Sequence, residues 1–172
     1  MNLQSNDFAL FGEPMQFVQD PARLDARWKE LQKEAHPDRF AAQGTAAQRL
    51  AMQWSVRINE AYQRLKDPLK RASYLCELHG APINAENNTT MPAEFLVQQM
   101  QWRDELDDAA SIGDLEKIAL KAQSSSRHQI SKIAHTLDTE KNFPAAAEQV
   151  RSLMFIDRFT REVAARIERL EA

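Results

Sequence analysis

Residues 35–40 of this chain read Ala35-His36-Pro37-Asp38-Arg39-Phe40, and they separate two long segments with helical periodicity. Proline fixes φ, lacks a backbone donor and disfavours the helical conformation in the residue before it. The first helix is therefore expected to end at about His36. The turn presents an imidazole and a carboxylate at the tip of a predicted helical hairpin, where a second protein can reach them.

Both flanking segments carry an apolar stripe with a period of 3.6 residues. Before the turn, Asp20 is predicted to cap a helix with Pro21 at its first position, and the stripe contains Leu24, Trp28, Leu31 and Ala35. After the turn, Thr45 is predicted to cap a helix that runs from Ala46 to about Lys66. Its inner face is predicted to contain Leu50, Trp54, Ile58, Ala61 and Leu65. A short apolar turn, Phe8 to Phe11, precedes these helices, and Asp67-Pro68 begins a fourth helix that ends at about Leu78.

Residues 79–91 interrupt the helical pattern with one glycine, one proline, three asparagines and two threonines. We interpret them as a linker between two domains. Three longer helices are predicted after it, at about Pro92–Ala110, Asp114–Leu137 and Pro144–Leu170. Short connections make neighbouring helices antiparallel, so this half is predicted to be a three-helix bundle. The predicted fold is all-α, with domains at 1–78 and 92–172.

The composition restricts the function classes. The 172 residues include 25 Asp and Glu against 22 Lys and Arg, so no basic field favours nucleic acid as a partner. No apolar run approaches the ~20 residues that span a bilayer, and no membrane partner is expected. The first residues lack the layout of a signal peptide. The single cysteine, Cys76, cannot form an internal disulfide and is expected to be a buried small apolar residue. These features predict a cytoplasmic, bacterial protein.

The tripeptide His36-Pro37-Asp38 has two possible interpretations that do not involve a partner protein. As a catalytic or metal-binding dyad it lacks a nearby serine or cysteine nucleophile and a second histidine at zinc-ligand spacing. We therefore predict no catalytic residue, no metal site, no cofactor and no enzymatic activity of the chain's own. As a helix end, the imidazole and the turn-forming carboxylate are both in ordinary positions. The tripeptide taken alone favours this second reading.

The flanking residues favour a partner-binding function. The run from Ile58 to Ala72, Ile-Asn-Glu-Ala-Tyr-Gln-Arg-Leu-Lys-Asp-Pro-Leu-Lys-Arg-Ala, closely resembles the third and fourth helices of the J domain of DnaJ-type co-chaperones. The order of elements around the tripeptide matches as well. Phe8 to Pro14, His36 to Phe40 and the helical C-terminal half are similar to the HscB family, the J proteins of iron–sulfur cluster assembly. The resemblance extends over nearly the whole chain.

The resemblance implies two partners. HscB-type proteins dock on a DnaK-class chaperone, usually of the HscA type, stimulate its ATP hydrolysis and deliver the scaffold protein IscU to it. His36, Pro37 and Asp38 match the residues on which stimulation depends, and the candidate cations of the preceding helix are Arg23, Arg27, Lys29 and Lys33. Acidic residues interrupt this face, and Ala35 stands where many J domains have tyrosine, which fits a dedicated chaperone better than a general one. The alternative is a J-domain co-chaperone for a different client in general protein folding.

A second candidate surface lies on the fifth helix. Phe95, Trp102, Leu106 and Ala109 fall within about 60° of one another and predict a core stripe. Leu96, Val97 and Met100 lie off that stripe, and Phe155 points about 110° away from the inner face of the seventh helix. Such residues either form an interaction site, pack against the J domain or complete a wide core. The resemblance implies that they bind the scaffold, with a polar rim formed by Arg103, Asp104 and Asp108, and with Gln101 where a related protein carries an acid.

Overall fold

The computed structural model describes residues 2–86 and 91–172 and contains no β-strand in these ranges. The all-α prediction is confirmed. In chain order the α-helices are α1 (Asp7–Phe11), α2 (Pro21–Glu34), α3 (Thr45–Lys66), α4 (Pro68–Leu78), α5 (Ala93–Asp108), α6 (Ile112–Ala134) and α7 (Phe143–Glu171). A 3₁₀ helix (Pro37–Gln43) lies between α2 and α3, and a π-helical turn (His135–Glu140) follows α6. The chain forms two compact units, one up to Leu75 and the other from Cys76 onward.

The N-terminal unit is a helical hairpin of α2 and α3 with α1 packed against it. Asp20 caps α2 as predicted, because its carboxylate accepts a hydrogen bond from the backbone N–H of Ala22 at 3.0 Å. Asp67 accepts from the N–H of Leu69 in the same way at the start of α4. The core of this unit includes Phe8, Leu10, Phe11, Phe17, Leu24, Leu31, Ala51, Ile58, Ala61, Leu65, Ala72 and Leu75.

Two predictions for the start of α3 are wrong. Thr45 is the first residue of the helix, and the cap position belongs to Gly44, which has a φ of 97° and offers no side-chain cap. Leu50 lies on the predicted inner stripe, yet it is 50% exposed. The reason is that α2 ends at Glu34, and the small side chain of Ala35 does not reach across to cover Leu50. Further along α3, where α2 continues opposite, Ile58 and Leu65 are buried as predicted.

A buried ion cluster joins α1 to α3. Asp7 is fully buried, and its carboxylate binds Arg57 at 2.8 Å and Arg64 at 2.6 Å. The hydroxyl of Tyr74 accepts a hydrogen bond from the backbone N–H of Asp7 at 2.9 Å. The hydrogen bond to Asp7 raises the pKa of the Arg64 guanidinium, so this cation stays charged. These contacts attach the short α1, whose five residues could not form a stable helix alone.

The C-terminal unit is built on α5, α6 and α7. Its main core cluster contains Phe95, Trp102, Leu106, Leu115, Ile118, Ala122, Ile156, Phe159 and Val163. Phe95, Trp102 and Leu106 confirm the predicted core stripe of α5. Cys76 is buried, as predicted, and this burial raises the pKa of its thiol to about 11. No helix in the described part of the chain is both long and apolar enough to cross a membrane.

The described part of the predicted linker contacts this unit. The backbone carbonyl of Ile83 accepts a hydrogen bond from Arg151 at 3.0 Å, and Ile83 is 4% exposed. The His79 ring stacks on Phe143 with a centroid distance of 3.8 Å. Residues 87–90 of the predicted linker lie outside the described residues. The division at 1–78, 79–91 and 92–172 therefore stays a prediction.

Candidate functional site

The tripeptide lies at the exposed tip of the α2–α3 hairpin. The side chains of His36 and Asp38 are 59% and 92% exposed, and Pro37 begins the 3₁₀ helix. The Nδ1 atom of His36 accepts a hydrogen bond from the backbone N–H of Asp38 at 3.2 Å. A nitrogen that accepts a hydrogen bond carries no proton, so in the neutral ring the proton lies on Nε2. The tip therefore offers an imidazole N–H donor and a carboxylate acceptor.

The 3₁₀ helix and the end of α2 fix the backbone around this tip. The N–H of Arg39 donates to the carbonyl of His36 at 3.0 Å, and Nη1 of Arg39 donates to the carbonyl of Lys33 at 3.4 Å. The second contact satisfies one of the carbonyls that a helix leaves unpaired at its last turn. The sequence predicted a turn here, and the structure has a 3₁₀ segment from Pro37 to Gln43 after that turn.

The four candidate cations of α2 occupy two different flanks. Lys29 and Lys33 lie about 40° apart on the helical wheel and about 170° from the buried Leu24 and Leu31, so they point directly outward. Neither lysine forms a salt bridge with a described carboxylate. Arg23 and Arg27 lie on a flank closer to the core, where Arg23 binds Glu13 at 3.3 Å and Arg27 binds Glu30 at 3.1 Å. Lys29 and Lys33 are thus the cations most available to an acidic partner.

The network that holds α2 against α3 includes residues that sequence reasoning missed. Asn59 Oδ1 accepts from Trp28 Nε1 at 2.9 Å and from Gln32 Nε2 at 2.7 Å. Ser55 donates to Gln32 Oε1 at 2.8 Å. Because Gln32 lies one helical turn before His36, the network fixes the spacing of the two helices close to the tip. The sequence contained a signal for this network. Ser55 and Asn59 are polar residues that directly follow Trp54 and Ile58 of the predicted apolar stripe of α3.

The second candidate surface is an exposed apolar patch on α5, formed by Leu96, Val97 and Met100. These side chains are 46%, 57% and 70% exposed. The alternative that they pack inside the C-terminal unit does not hold, because they lie outside its core cluster. We call these three residues the α5 patch. Gln101, Asp104 and Asp108 are exposed on the same helix and carry the polar part of this surface.

The position of Phe155 differs from the prediction, in which its side chain points away from the core. It is half-buried and contacts Phe95 edge-on with a centroid distance of 5.7 Å, and it also lies 6.0 Å from Phe159. The core is wider than the strict inner stripe, because the large rings of α5 extend to this side of α7. Phe155 is therefore a core residue with one partly accessible side.

Arg103 is also held by contacts inside the C-terminal unit. Its guanidinium binds Glu162 at 2.6 Å and lies 5.7 Å from the centroids of both Phe155 and Phe159. It still exposes 47% of its side chain. Such a cation is positioned before any partner arrives, which lowers the entropy lost on binding.

No group of three or more His, Cys, Asp and Glu side chains in residues 2–86 and 91–172 is arranged to hold a metal ion. Sequence and geometry thus identify two surfaces, a polar tip on the N-terminal unit and an apolar patch on the C-terminal unit. Both consist mainly of exposed side chains on helical segments.

Comparisons with known proteins agree with this description. Residues 91–164 match the family model described as "HSCB C-terminal oligomerisation domain". A co-chaperone protein HscB homolog of Burkholderia thailandensis is 47% identical over 174 residues, covering 99% of each chain. The solved structure of chaperone HscB from Vibrio cholerae is 35% identical, with a TM-score of 0.82 over 96% of this chain and 99% of that one.

The human co-chaperone protein HscB is more distant in sequence and similar in fold. It is 23% identical, with a TM-score of 0.87 over 96% of this chain and 84% of that one. The high identity to the bacterial relatives over nearly the full length establishes the family. The chain, with its N-terminal J domain and C-terminal helical bundle, belongs to the HscB family of co-chaperones.

Proposed function

We propose that this protein stimulates ATP hydrolysis by a DnaK-class chaperone of the HscA type and delivers an IscU-type iron–sulfur scaffold to it. The observation that carries the first part is the exposed tip, in which His36 and Asp38 present a donor and an acceptor from an ordered 3₁₀ segment. Lys29 and Lys33 extend this surface along α2 and suit an acidic face of the chaperone.

The tip acts on the chaperone and takes no part in the chemistry of ATP. Its effect is a coupling free energy, because it binds the hydrolysing arrangement of the chaperone more tightly than the resting one. Each tenfold of stimulation requires about 1.4 kcal/mol of such preference. One charge-assisted hydrogen bond from Asp38 or His36 supplies an energy of about that size.

Replacing His36 with glutamine tests the chaperone part of the proposal. The variant should lose at least tenfold of the stimulation, because the amide cannot reproduce the imidazole N–H donor in the same position. Its melting temperature should be unchanged, since the side chain is 59% exposed. The matched control is His128→Gln, which changes an exposed histidine on α6 and should keep full stimulation. Full stimulation by His36→Gln would contradict docking through the tip.

The α5 patch is the proposed binding surface for the scaffold. Fully burying one such side chain stabilises a complex by about 1.5–3 kcal/mol, and roughly half of each is already buried. Three half-exposed side chains then contribute about 2–5 kcal/mol in total, against an association cost of about 4–15 kcal/mol. Arg103 and Asp104 must add polar contacts for a complex to form. The resulting modest affinity suits a protein that hands its cargo on.

A matched pair of variants tests the scaffold part. Met100→Gln places a polar group in the patch, and Leu120→Gln makes a similar change at a residue on α6 outside it. The two side chains are 70% and 65% exposed, so neither change should affect folding. Met100→Gln should weaken binding of an IscU-type scaffold by tenfold or more in calorimetry, while Leu120→Gln should not. Equal affinities for the two variants would rule out the patch.

The iron–sulfur cluster belongs to the scaffold in this proposal. Cys76 is fully buried and its thiol has a pKa of about 11, so it is a poor ligand for a cluster. We place the activity in the bacterial cytoplasm, where a free thiol stays reduced.

A pull-down from cell extract tests the alternative client. If it recovered a general DnaK with many unfolded clients and no scaffold, a co-chaperone function in general protein folding would be favoured over the proposed function.

A further inference from the structure

Met100, in the centre of the α5 patch, is the most exposed methionine that the structure describes. It is 70% exposed, against 59% for Met52 and 46% for Met15, and Met91 and Met154 are both partly buried. An oxidant reaches a solvent-exposed thioether without any opening of the fold, whereas neighbouring side chains protect a buried one. Met100 is therefore the methionine that a peroxide in solution should oxidise first.

The one thiol of the chain is protected from the same reagent. Cys76 is fully buried, and this burial raises the pKa of its thiol to about 11. Oxidants react with the thiolate, so very little of this sulfur is in its reactive form at neutral pH. Peroxide should therefore act on this protein mainly at its exposed methionines.

Met100 lies on the side of α5 that faces away from the core of the C-terminal unit. At about 100° per residue it is about 140° from the buried Phe95, and Leu96 and Val97 lie about 40° and 60° to either side of it. Asp104 follows one turn later on the same face. A chemical change at the Met100 sulfur therefore alters the centre of the patch and leaves the core contacts of Phe95 in place.

We propose that Met100 is a modification site at which oxidation by hydrogen peroxide weakens binding of the scaffold. This inference rests on the proposed function and adds a redox control to the same surface. A lone pair of the Met100 sulfur attacks one oxygen of the peroxide, and the O–O bond breaks. The departing hydroxide takes the proton of the transferred oxygen and leaves as water. The sulfur is oxidised to the sulfoxide, and the peroxide is reduced.

The sulfoxide makes the centre of the patch polar. Its oxygen accepts hydrogen bonds from water in the free protein, and a docked scaffold would have to bury it beside Leu96 and Val97. Burying a polar group without a partner is unfavourable, and the apolar contribution of the thioether is lost as well. The oxidised protein should therefore bind the scaffold at least tenfold more weakly. Methionine sulfoxide reductases reverse the change, with a thiol as the reductant.

Calorimetry with peroxide-treated, full-length protein tests this inference. Catalase removes the hydrogen peroxide before an IscU-type scaffold is added, and peptide mass spectrometry measures the sulfoxide at each methionine. Sulfoxide should form faster at Met100 than at Met91 and Met154, the affinity should fall at least tenfold, and a methionine sulfoxide reductase should restore it. The melting temperature should be unchanged, because the oxidised side chain lies outside the core.

Two leucine variants identify the sulfur that is responsible. Met100→Leu has an apolar side chain that peroxide does not oxidise, so treatment should change its affinity by less than twofold, whatever its affinity before treatment. Met52→Leu removes an exposed methionine of α3 and should still lose affinity on treatment, as the wild-type protein does. Equal losses for Met100→Leu and the wild-type protein would overturn the inference.

The same measurements separate this inference from the proposed function. If untreated protein binds the scaffold, and protein with fully oxidised Met100 binds it equally well, the proposed function stands and the inference fails. If untreated protein does not bind the scaffold, the proposed function fails and the inference fails with it.

Discussion

The buried carboxylate of Asp7 binds two guanidinium groups, and these ion pairs help to hold α1 against α3. Both arginines come from α3. Arg57 binds Oδ1 of the carboxylate, and Arg64 binds both oxygens, Oδ2 at 2.6 Å and Oδ1 at 3.0 Å. Removing one partner of a buried ion pair leaves the others uncompensated, which costs more than the pair itself contributes. The Asp7 carboxylate therefore holds α1 against α3 together with the buried side chains of Phe8, Leu10 and Phe11.

Asp7→Asn should lower the free energy of unfolding by about 3 kcal/mol, the lower end of the range for a broken buried pair, because Arg64 is 41% exposed. Urea denaturation measures this loss. Glu60→Gln removes an exposed carboxylate from the same part of α3 and should change stability by less than about 0.5 kcal/mol. Similar values for the two variants would show that Asp7 is not an essential ion-pair partner.

The buried thiol of Cys76 makes the stability of the protein depend on pH. Burial raises its thiol pKa to about 11, from an ordinary value of 9.0. The contribution of the buried thiol to the free energy of unfolding is complete below pH 9 and is lost as the pH rises toward 11. The reason is that the thiol of the unfolded chain loses its proton at a lower pH than the buried thiol. Wild-type protein should therefore lose more stability than Cys76→Ala between pH 9 and pH 11 in urea denaturation. Parallel curves for the two proteins would contradict the burial of the thiol.

The α2–α3 hairpin shows how far helical elements follow from sequence. The caps Asp20 and Asp67 and the buried stripe of Ile58, Ala61 and Leu65 could be predicted, because capping and periodicity are local properties. The 3₁₀ helix after Pro37 and the exposure of Leu50 could not. Both depend on where α2 stops relative to α3, which is a property of packing between two elements.

Asn59 connects these two helices, and its replacement tests the network. Asn59→Leu removes the acceptor for Trp28 Nε1 and Gln32 Nε2, so the variant should lose about 0.5–1.5 kcal/mol of unfolding free energy. It should also reduce ATPase stimulation, because the spacing of the helices near His36 relaxes. Gln53→Leu, at an exposed position of α3, should change neither quantity. Unchanged stability of Asn59→Leu would show that the network does not hold the hairpin.

Mutations in the α5 patch and at Phe155 should lower the unfolding free energy by different amounts, although the sequence predicted one surface for all of these residues. Phe155→Ala should lower the unfolding free energy by about 1–3 kcal/mol, less than for a fully buried phenylalanine, because its ring is only half-buried. Met100→Ala should cost much less, since that side chain is 70% exposed. Thermal and urea unfolding of both variants measure the difference. Equal losses would place the two residues in the same environment.

On the scale of the whole molecule, the two proposed surfaces lie on different compact units, one ending at Leu75 and one beginning at Cys76. The all-α fold could be predicted from the helical periodicity of the sequence, whereas the domain bounds drawn from the break after Leu78 stay a prediction. The width of the C-terminal core could not, because it depends on the sizes of Phe95, Trp102 and Phe159 where three helices meet. The placement of Phe155 was wrong for this reason.

The proposed function requires one molecule to carry both the chaperone-docking tip and the scaffold-binding patch. Its most direct test is the scaffold-dependent part of ATP hydrolysis by an HscA-type chaperone, measured with an equimolar mixture of His36→Gln and Met100→Gln. Each variant retains the surface that the other lacks. We expect that the mixture does not restore the scaffold-dependent stimulation of the wild-type protein. Restoration to the wild-type level would rule out this requirement, because delivery would then not need both surfaces on one chain.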